Sequence, residues 1–210
     1  MVRFVVLTGG PGAGKTAVMQ AARQIFAQEV LVLPEAASIV YSGGFPRFSS
    51  PHSVRAAQRA IASVQAELEH FARDDKRAPV ALCDRGIADG AAYWPEGPSS
   101  FFAALGTTAE KIYARYSTVI HLQPPTAAMG YDNSNPMRTE TAGEAAELDR
   151  RIERVWHGHP NRLVVPATET FTEKLEQVTA LIRTELMLQN LPHGKFAATS
   201  ASRLVQEFLN

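Results

Sequence analysis

The sequence predicts an α/β domain: a parallel sheet of five strands with helices on both faces. Three observations carry that expectation. Five short apolar runs alternate along the chain with stretches of helical periodicity, the arrangement that βαβ units produce. The runs are mostly apolar at consecutive positions rather than at every second residue, as expected of strands covered on both faces. The first run also leads straight into "GGPGAGKT" (9–16) and then into an alanine-rich helical pattern.

The elements follow in order. Arg3–Thr8 reads as the first strand and Ala17–Ala27 as the helix after the glycines. Val30–Leu33 is the second strand and ends at Pro34-Glu35. In the next segment Ser50 can cap a helix whose first position is Pro51, with Val54, Ala57, Ile61, Val64, Leu68 and Phe71 as its apolar stripe. Val80–Cys83 is the third strand, delivering Asp84-Arg85-Gly86. "WPEGPSS" (94–100) reads as loop. Thr118–Leu122 is the fourth strand, followed by "QPPTAAMGYDNSNPM" (123–137), a connection long enough to act as a lid. Thr141 and Glu144 have capping-box spacing before a helix with Ala145, Leu148, Ile152 and Val155 on one face. Arg162–Val165 is the fifth strand. Thr170 and Glu173 repeat the capping signal before Leu175, Val178, Ile182 and Leu186. The expected organisation is one domain over residues 1–190, with a lid at about 128–158, and a C-terminal extension over 191–210 that ends in a short amphipathic pattern.

Bulk properties narrow the function classes. A chain of 210 residues suits one domain with a full core. Lys plus Arg equals Asp plus Glu, 21 against 21, so the overall charge predicts neither nucleic acid nor an anionic membrane as partner. With Cys83 the only cysteine, no intrachain disulfide or cysteine-built metal site is possible. No apolar run reaches the roughly 18 residues of a membrane helix, and the first is too short for a signal peptide, which makes a cytoplasmic protein the expectation.

"GGPGAGKT" has P-loop spacing: Gly9, four residues, then Gly14-Lys15-Thr16. Glycines allow a wrap in which backbone N–H groups point inward at a phosphate, and the helix that follows adds unpaired N–H groups and the positive end of its dipole. The expected binding set is Gly9, Gly10, Pro11, Gly12, Ala13, Gly14, Lys15, Thr16 and Ala17, with Lys15 reaching the β- and γ-phosphates of ATP and the Thr16 hydroxyl on Mg²⁺. An ordinary glycine-rich turn would not need the strand before it, the helix after it and the Lys-Thr pair together.

Ligands of such sheets sit beyond the carboxyl ends of the strands, which singles out the residues leaving the other strands. Asp84, after four apolar residues, has the pattern of a carboxylate that holds Mg²⁺ directly or through water, and Arg85 beside it can bind a phosphate or an acceptor group. Glu35 suits a base that takes a proton from an acceptor hydroxyl, or a group that orients water; as an acid at a helix start it also suits the helix dipole. Asp89 fits either an acceptor pocket or a loop cap. Arg138, at the junction of the long connection and the next helix, is a candidate for stabilising charge in phosphoryl transfer. Arg150, Arg151 and Arg154 fit a solvated helix face, with Glu147 and Arg151 at pairing distance. Tyr93 and Trp94 read as packing, His121 as a satisfied core histidine, Cys83 as a small buried residue, and His157 with His159 lacks a third metal ligand.

The segments "VVLTGGPGAGKT", "LPEAAS", "CDRGIADGAAYW", "ARYSTVIHLQPP" and "NPMRTETAGEAAELDRRIERVWHGHP" together resemble a family of small P-loop AAA-domain ATP/GTP-binding proteins, related to the ribosylnicotinamide kinase domain and more distantly to deoxynucleoside and thymidylate kinases. The resemblance spans about residues 3–185. It implies a magnesium–nucleotide site at Lys15, Thr16 and Asp84, an acceptor cleft near Glu35 and Arg85, and an Arg-x-Glu lid at Arg138 and Glu140. It leaves the acceptor unnamed. The resulting expectation is an ATP- and Mg²⁺-dependent phosphotransferase acting on a small hydroxyl-bearing, nucleoside-like acceptor, with Lys15, Glu35, Asp84, Arg85 and Arg138 as catalytic residues. The other class it leaves open is a nucleotide-binding switch or slow NTPase that works through a protein partner; the chain has no Asn-Lys-x-Asp stretch of the kind small GTPases use for guanine.

Overall fold

A computed structural model of the chain describes residues 1–125, 142–168 and 170–189. Arg138, Glu140, Thr141 and the first part of the expected lid, residues 128–141, together with the expected extension over 191–210, lie outside the described residues. The five apolar runs form the strands β1 (Arg3–Thr8), β2 (Val30–Leu33), β3 (Val80–Asp84), β4 (Thr118–Leu122) and β5 (Arg162–Val165). They make one sheet in the order β2-β3-β1-β4-β5, and every neighbouring pair is parallel. β3 extends one residue beyond its apolar run: Asp84 still pairs with Leu7 in the register.

Strand residues point alternately to the two faces, and the core divides accordingly. On one face Val5, Leu7, Leu82, Ile120 and Leu122 meet Val18, Met19, Ala22 and Phe26 of α1 (Lys15–Phe26) and Val178 and Ile182 of α7 (Phe171–Gln189). On the other face Phe4, Val6, Cys83 and Val119 meet α6 (Ala142–Trp156) through Leu148, Ile152 and Trp156. Phe101 of α4 (Pro98–Ala104) and Ile112 of α5 (Ala109–Tyr113) complete that layer. The "WPEGPSS" stretch is therefore half loop and half helix: Gly97 precedes a helix whose first residue is Pro98, a favoured place for proline.

α3 (Pro51–Asp75) starts as expected, with the Ser50 hydroxyl accepting from the Ser53 N–H. Its buried face does not match the expected stripe. Of the six apolar residues only Ala57 is buried; Phe71 is 50% exposed. The inward face carries Gln58, Ala62, Gln65, Glu69 and Ala72 instead. Glu69 is fully buried because other segments bring it partners: Arg115 Nε at 2.8 Å, Tyr116 Oη at 2.7 Å and, within the helix, Gln65 Nε2 at 3.1 Å. Those bonds offset the desolvation cost, so hydrophobicity alone points to the wrong side of the helix.

In α6, Ala145, Leu148, Ile152 and Val155 are buried as expected. Glu147 bonds to Arg150 at 2.7 Å and Arg154 at 3.3 Å rather than to Arg151. In α7, Val178, Ile182 and Leu186 are buried, whereas Leu175 is only half-buried. Among the described residues no helix is long and apolar enough to cross a membrane.

The sheet order puts β1 at the point where the chain reverses direction. From β1 it goes to β2 and returns through β3 on one side, then crosses to β4 and β5 on the other. The crevice beyond the carboxyl end of β1 is the place where ligands bind in open α/β sheets, and the glycine loop lies there.

Candidate nucleotide site

The loop from Gly9 to Gly14 is held in a shape only glycine tolerates at several points. Gly9, Gly12 and Gly14 have φ of 135°, 80° and 91°, where a side chain is strained. A Cβ on Gly9 would stand 2.1 Å from the Leu122 carbonyl oxygen, so β4 itself closes that position to any other residue. α1 begins at Lys15, two residues before the alanine-rich pattern, and Val18 N–H is bonded to Gly14 O at 3.1 Å. The first N–H groups of the helix, those of Lys15, Thr16 and Ala17, therefore face the crevice without helical partners. Thr16 and Ala17 are exposed. The Lys15 ammonium folds over the loop, donating to Gly9 O at 2.7 Å and Gly10 O at 2.9 Å. Burial, together with the Arg85 charge, brings its pKa down to about 7 against the pull of Asp84, Glu35 and Asp89.

On the β2–β3 side Arg85 is the hub. Its backbone is left-handed, with φ of 70°, and its N–H bonds to Leu7 O at 3.1 Å. This directs its guanidinium across the strand ends. Nε donates to Glu35 Oε1 at 3.0 Å, and Nη1 to Gly9 O at 3.3 Å and Asp89 Oδ1 at 3.2 Å. Glu35, at the N-cap position of α2 (Ala36–Ser42), also accepts from the Ser38 hydroxyl. Burial raises its pKa, but Arg85, Ser38 and Lys15 outweigh that and hold it below the usual range, so Glu35 is ionised. Asp84 is the contrast. Its carboxylate has no hydrogen bond or salt bridge to another described residue, and burial followed by the Glu35 charge pushes its pKa up to about 6.

Asp89 is a cap, not a pocket residue. It is buried and accepts from the Thr8 hydroxyl, Gly86 N–H at 3.0 Å and Trp156 Nε1 at 3.0 Å, besides Arg85. It fixes the 3-10 turn Ile87–Ala92 against β1 and α6. Trp94 packs edge-on against Phe101, with ring centroids 5.4 Å apart, as expected, and His159 is a core residue held by the Tyr116 carbonyl. Arg150 and Arg154 are solvent-exposed partners of Glu147. Among the described residues no group of three or more His, Cys, Asp or Glu side chains is gathered to cage a metal.

The opposite side of the loop holds residues that the sequence reading passed over. Asp149 of α6 accepts the Gly10 N–H at 2.6 Å, and the same oxygen lies 3.0 Å from His121 Nε2 of β4. Lys174 of α7, buried, donates to Ala13 O at 3.2 Å and Gln123 O at 2.9 Å. A signal existed: Asp149 and Lys174 are charged residues placed inside apolar helical stripes, where an unpaired charge is too costly to keep. His121 is a core histidine as expected but is satisfied at Nε2 alone: among the described residues its Nδ1 is buried without a partner.

A strand that ends in a left-handed glycine loop, a helix that opens on Lys-Thr, and a carboxylate on the neighbouring strand define a P-loop nucleotide-binding protein. The chain belongs to the AAA domain family, whose sequence profile matches residues 4–174, from β1 into the first turn of α7. No curated protein matches the chain.

Proposed function

We propose that the protein is a phosphotransferase that moves the γ-phosphoryl group of ATP to a small hydroxyl-bearing, nucleoside-like acceptor. The observation that supports this best is the Glu35–Arg85 pair, 3.0 Å apart on adjacent strand ends beside the loop. It sets an ionised carboxylate and a guanidinium on the side of the crevice away from α6, where an acceptor hydroxyl can be received. A carboxylate held below the usual range is a weak base. Phosphoryl transfer through a loose transition state asks the base mainly to orient the hydroxyl, and Glu35 suits that task. Arg85 commits Nε and Nη1 to described residues, and its guanidinium has further N–H groups with which to meet a phosphate or acceptor oxygen. Lys15 would leave the loop carbonyls for the β- and γ-phosphates.

Asp84 and Thr16 are the residues that would hold Mg²⁺. The fit rests on Asp84: a half-buried carboxylate without a partner among the described residues is what a cation compensates. When bound, the ion would neutralise charge on the phosphate oxygens.

The test is turnover of Mg²⁺–ATP with and without nucleosides, vitamins and sugars. An acceptor is expected to raise turnover, and Glu35→Gln is expected to lower the stimulated rate roughly 10²–10⁴-fold while ATP affinity stays within a few-fold. ATP turnover that no acceptor raises and that Glu35→Gln leaves unchanged would overturn the phosphotransferase in favour of a switch or slow NTPase.

A further inference from the structure

We propose that Asp149 is a positioning residue that couples α6 to the phosphate-binding loop through one carboxylate oxygen, shared by the Gly10 amide and the His121 ring. The proposal rests on the nucleotide-binding reading of that loop.

The Gly10 N–H does not join the amides left open for phosphate. It is taken by Asp149 Oδ1 at 2.6 Å. An ionised carboxylate only accepts, so the His121 nitrogen 3.0 Å from the same atom is the protonated one, and Nε2–H is the donor. Among the described residues Nδ1 is buried and without a partner. At 1% exposure that is a cost a phenylalanine of similar shape would avoid. The ring is kept for the single bond it gives Asp149.

Contact between helix and loop is equally close. A Cβ on Gly10 would stand 2.8 Å from Asp149 Cβ and 3.1 Å from the Ala145 carbonyl oxygen. Gly10 is therefore glycine so that α6 can rest on the loop. Lys174 balances the buried charge from the α7 side while holding Ala13 O. Loop shape and α6 docking are thus two readings of one contact. A ligand that needs this loop shape favours docked α6, and docked α6 favours the ligand by the same factor.

The test uses the full chain. Calorimetry with a non-hydrolysable ATP analogue and Mg²⁺ measures affinity, and hydrogen exchange over residues 143–156 measures docking with and without the analogue. Asp149→Ala is expected to weaken binding about tenfold or more and to abolish the nucleotide-dependent protection of α6. Asp149→Asn, whose side-chain oxygen can accept the same two bonds, is expected to stay within about threefold. His121→Phe is expected to weaken binding by several-fold and His121→Gln, which restores a donor near the Nε2 position, to recover most of it. Ile152→Val, a core change in the same helix, is expected to lower Tm without moving affinity. Folded Asp149→Ala with wild-type affinity overturns the proposal, and so does Asp149→Asn as weak as Asp149→Ala. If Asp149→Ala fails to fold, His121→Phe with wild-type affinity overturns it. Wild-type protein that binds neither ATP nor GTP analogues overturns the nucleotide reading itself, a separate failure.

Discussion

Asp84 and Asp89 leave the same strand five residues apart, and they belong to two different kinds of place. Asp89 sits where β1, α6 and the turn after β3 converge, and four donors meet it. Asp84 sits at the lip of the crevice, and its carboxylate has no hydrogen bond or salt bridge to another described residue. The same division runs around the whole loop. On the α6–α7 side Asp149 and Lys174 are bonded to loop backbone; on the open side Lys15 is bonded to loop backbone as well, but it and Asp84 carry pKa values far from ordinary. A charge that folding satisfies contributes to stability. A charge that folding leaves short of partners costs stability and marks where a ligand completes the structure.

The largest expected effect breaks the satisfied side. Asp89→Ala strips an acceptor from buried Thr8, Gly86 N–H and Trp156 Nε1 and leaves Arg85 with one carboxylate fewer. A loss of about 3–5 kcal/mol is expected, read as a fall in the denaturant midpoint. A loss below about 1 kcal/mol would mean that Asp89 is not the anchor of this turn.

The open side should respond with the opposite sign. Asp84 has a folded pKa of about 6 against an ordinary 3.8. Well below the unfolded value, at about pH 3, both states are protonated and the mismatch costs nothing; as pH rises from there to about 6 the unfolded chain ionises first and the folded state loses ground; above about 6 the full cost remains. Asp84→Asn is therefore expected to stabilise the nucleotide-free protein by about 1–3 kcal/mol at pH 7 and by almost nothing at about pH 3. Thermal unfolding across that range checks it, and destabilisation at pH 7 would remove the contrast between the two aspartates.

A smaller effect sharpens the comparison through Lys15. With a pKa of about 7, most of Lys15 is neutral at pH 8, above the phosphate's own titration near pH 6. Phosphate bound beside it favours the ammonium, so nucleotide binding at pH 8 should take up part of a proton, and affinity should fall by several-fold from pH 7 to pH 9. Binding enthalpy measured in buffers of different ionisation enthalpy reports the uptake. Enthalpy independent of buffer would place Lys15 away from the phosphates.

The smallest effect supplies the baseline. Glu147 pairs with Arg150 and Arg154 in solvent. Glu147→Ala should change stability by no more than about 0.5 kcal/mol and leave nucleotide affinity as it is. A larger change would mean that exposed and buried charges on α6 do not separate as the comparison requires.

The sequence by itself determined the five strands, the glycine loop and the residues that leave β2 and β3, because each is a local matter. A phosphate loop is built from consecutive amides, so its chemistry is written in consecutive residues, and a strand buried on both faces is mostly apolar at consecutive positions. Tertiary structure alone decided the rest. It joined Gly10 to Asp149, 139 positions apart, and brought His121 to the same oxygen. It also turned α3 so that Glu69 faces inward, since Arg115 and Tyr116 arrive from the far side of the sequence to meet it. Periodicity measures how apolar a face is, whereas burial of a charge depends on which partners packing delivers, and that information is nowhere in the segment itself.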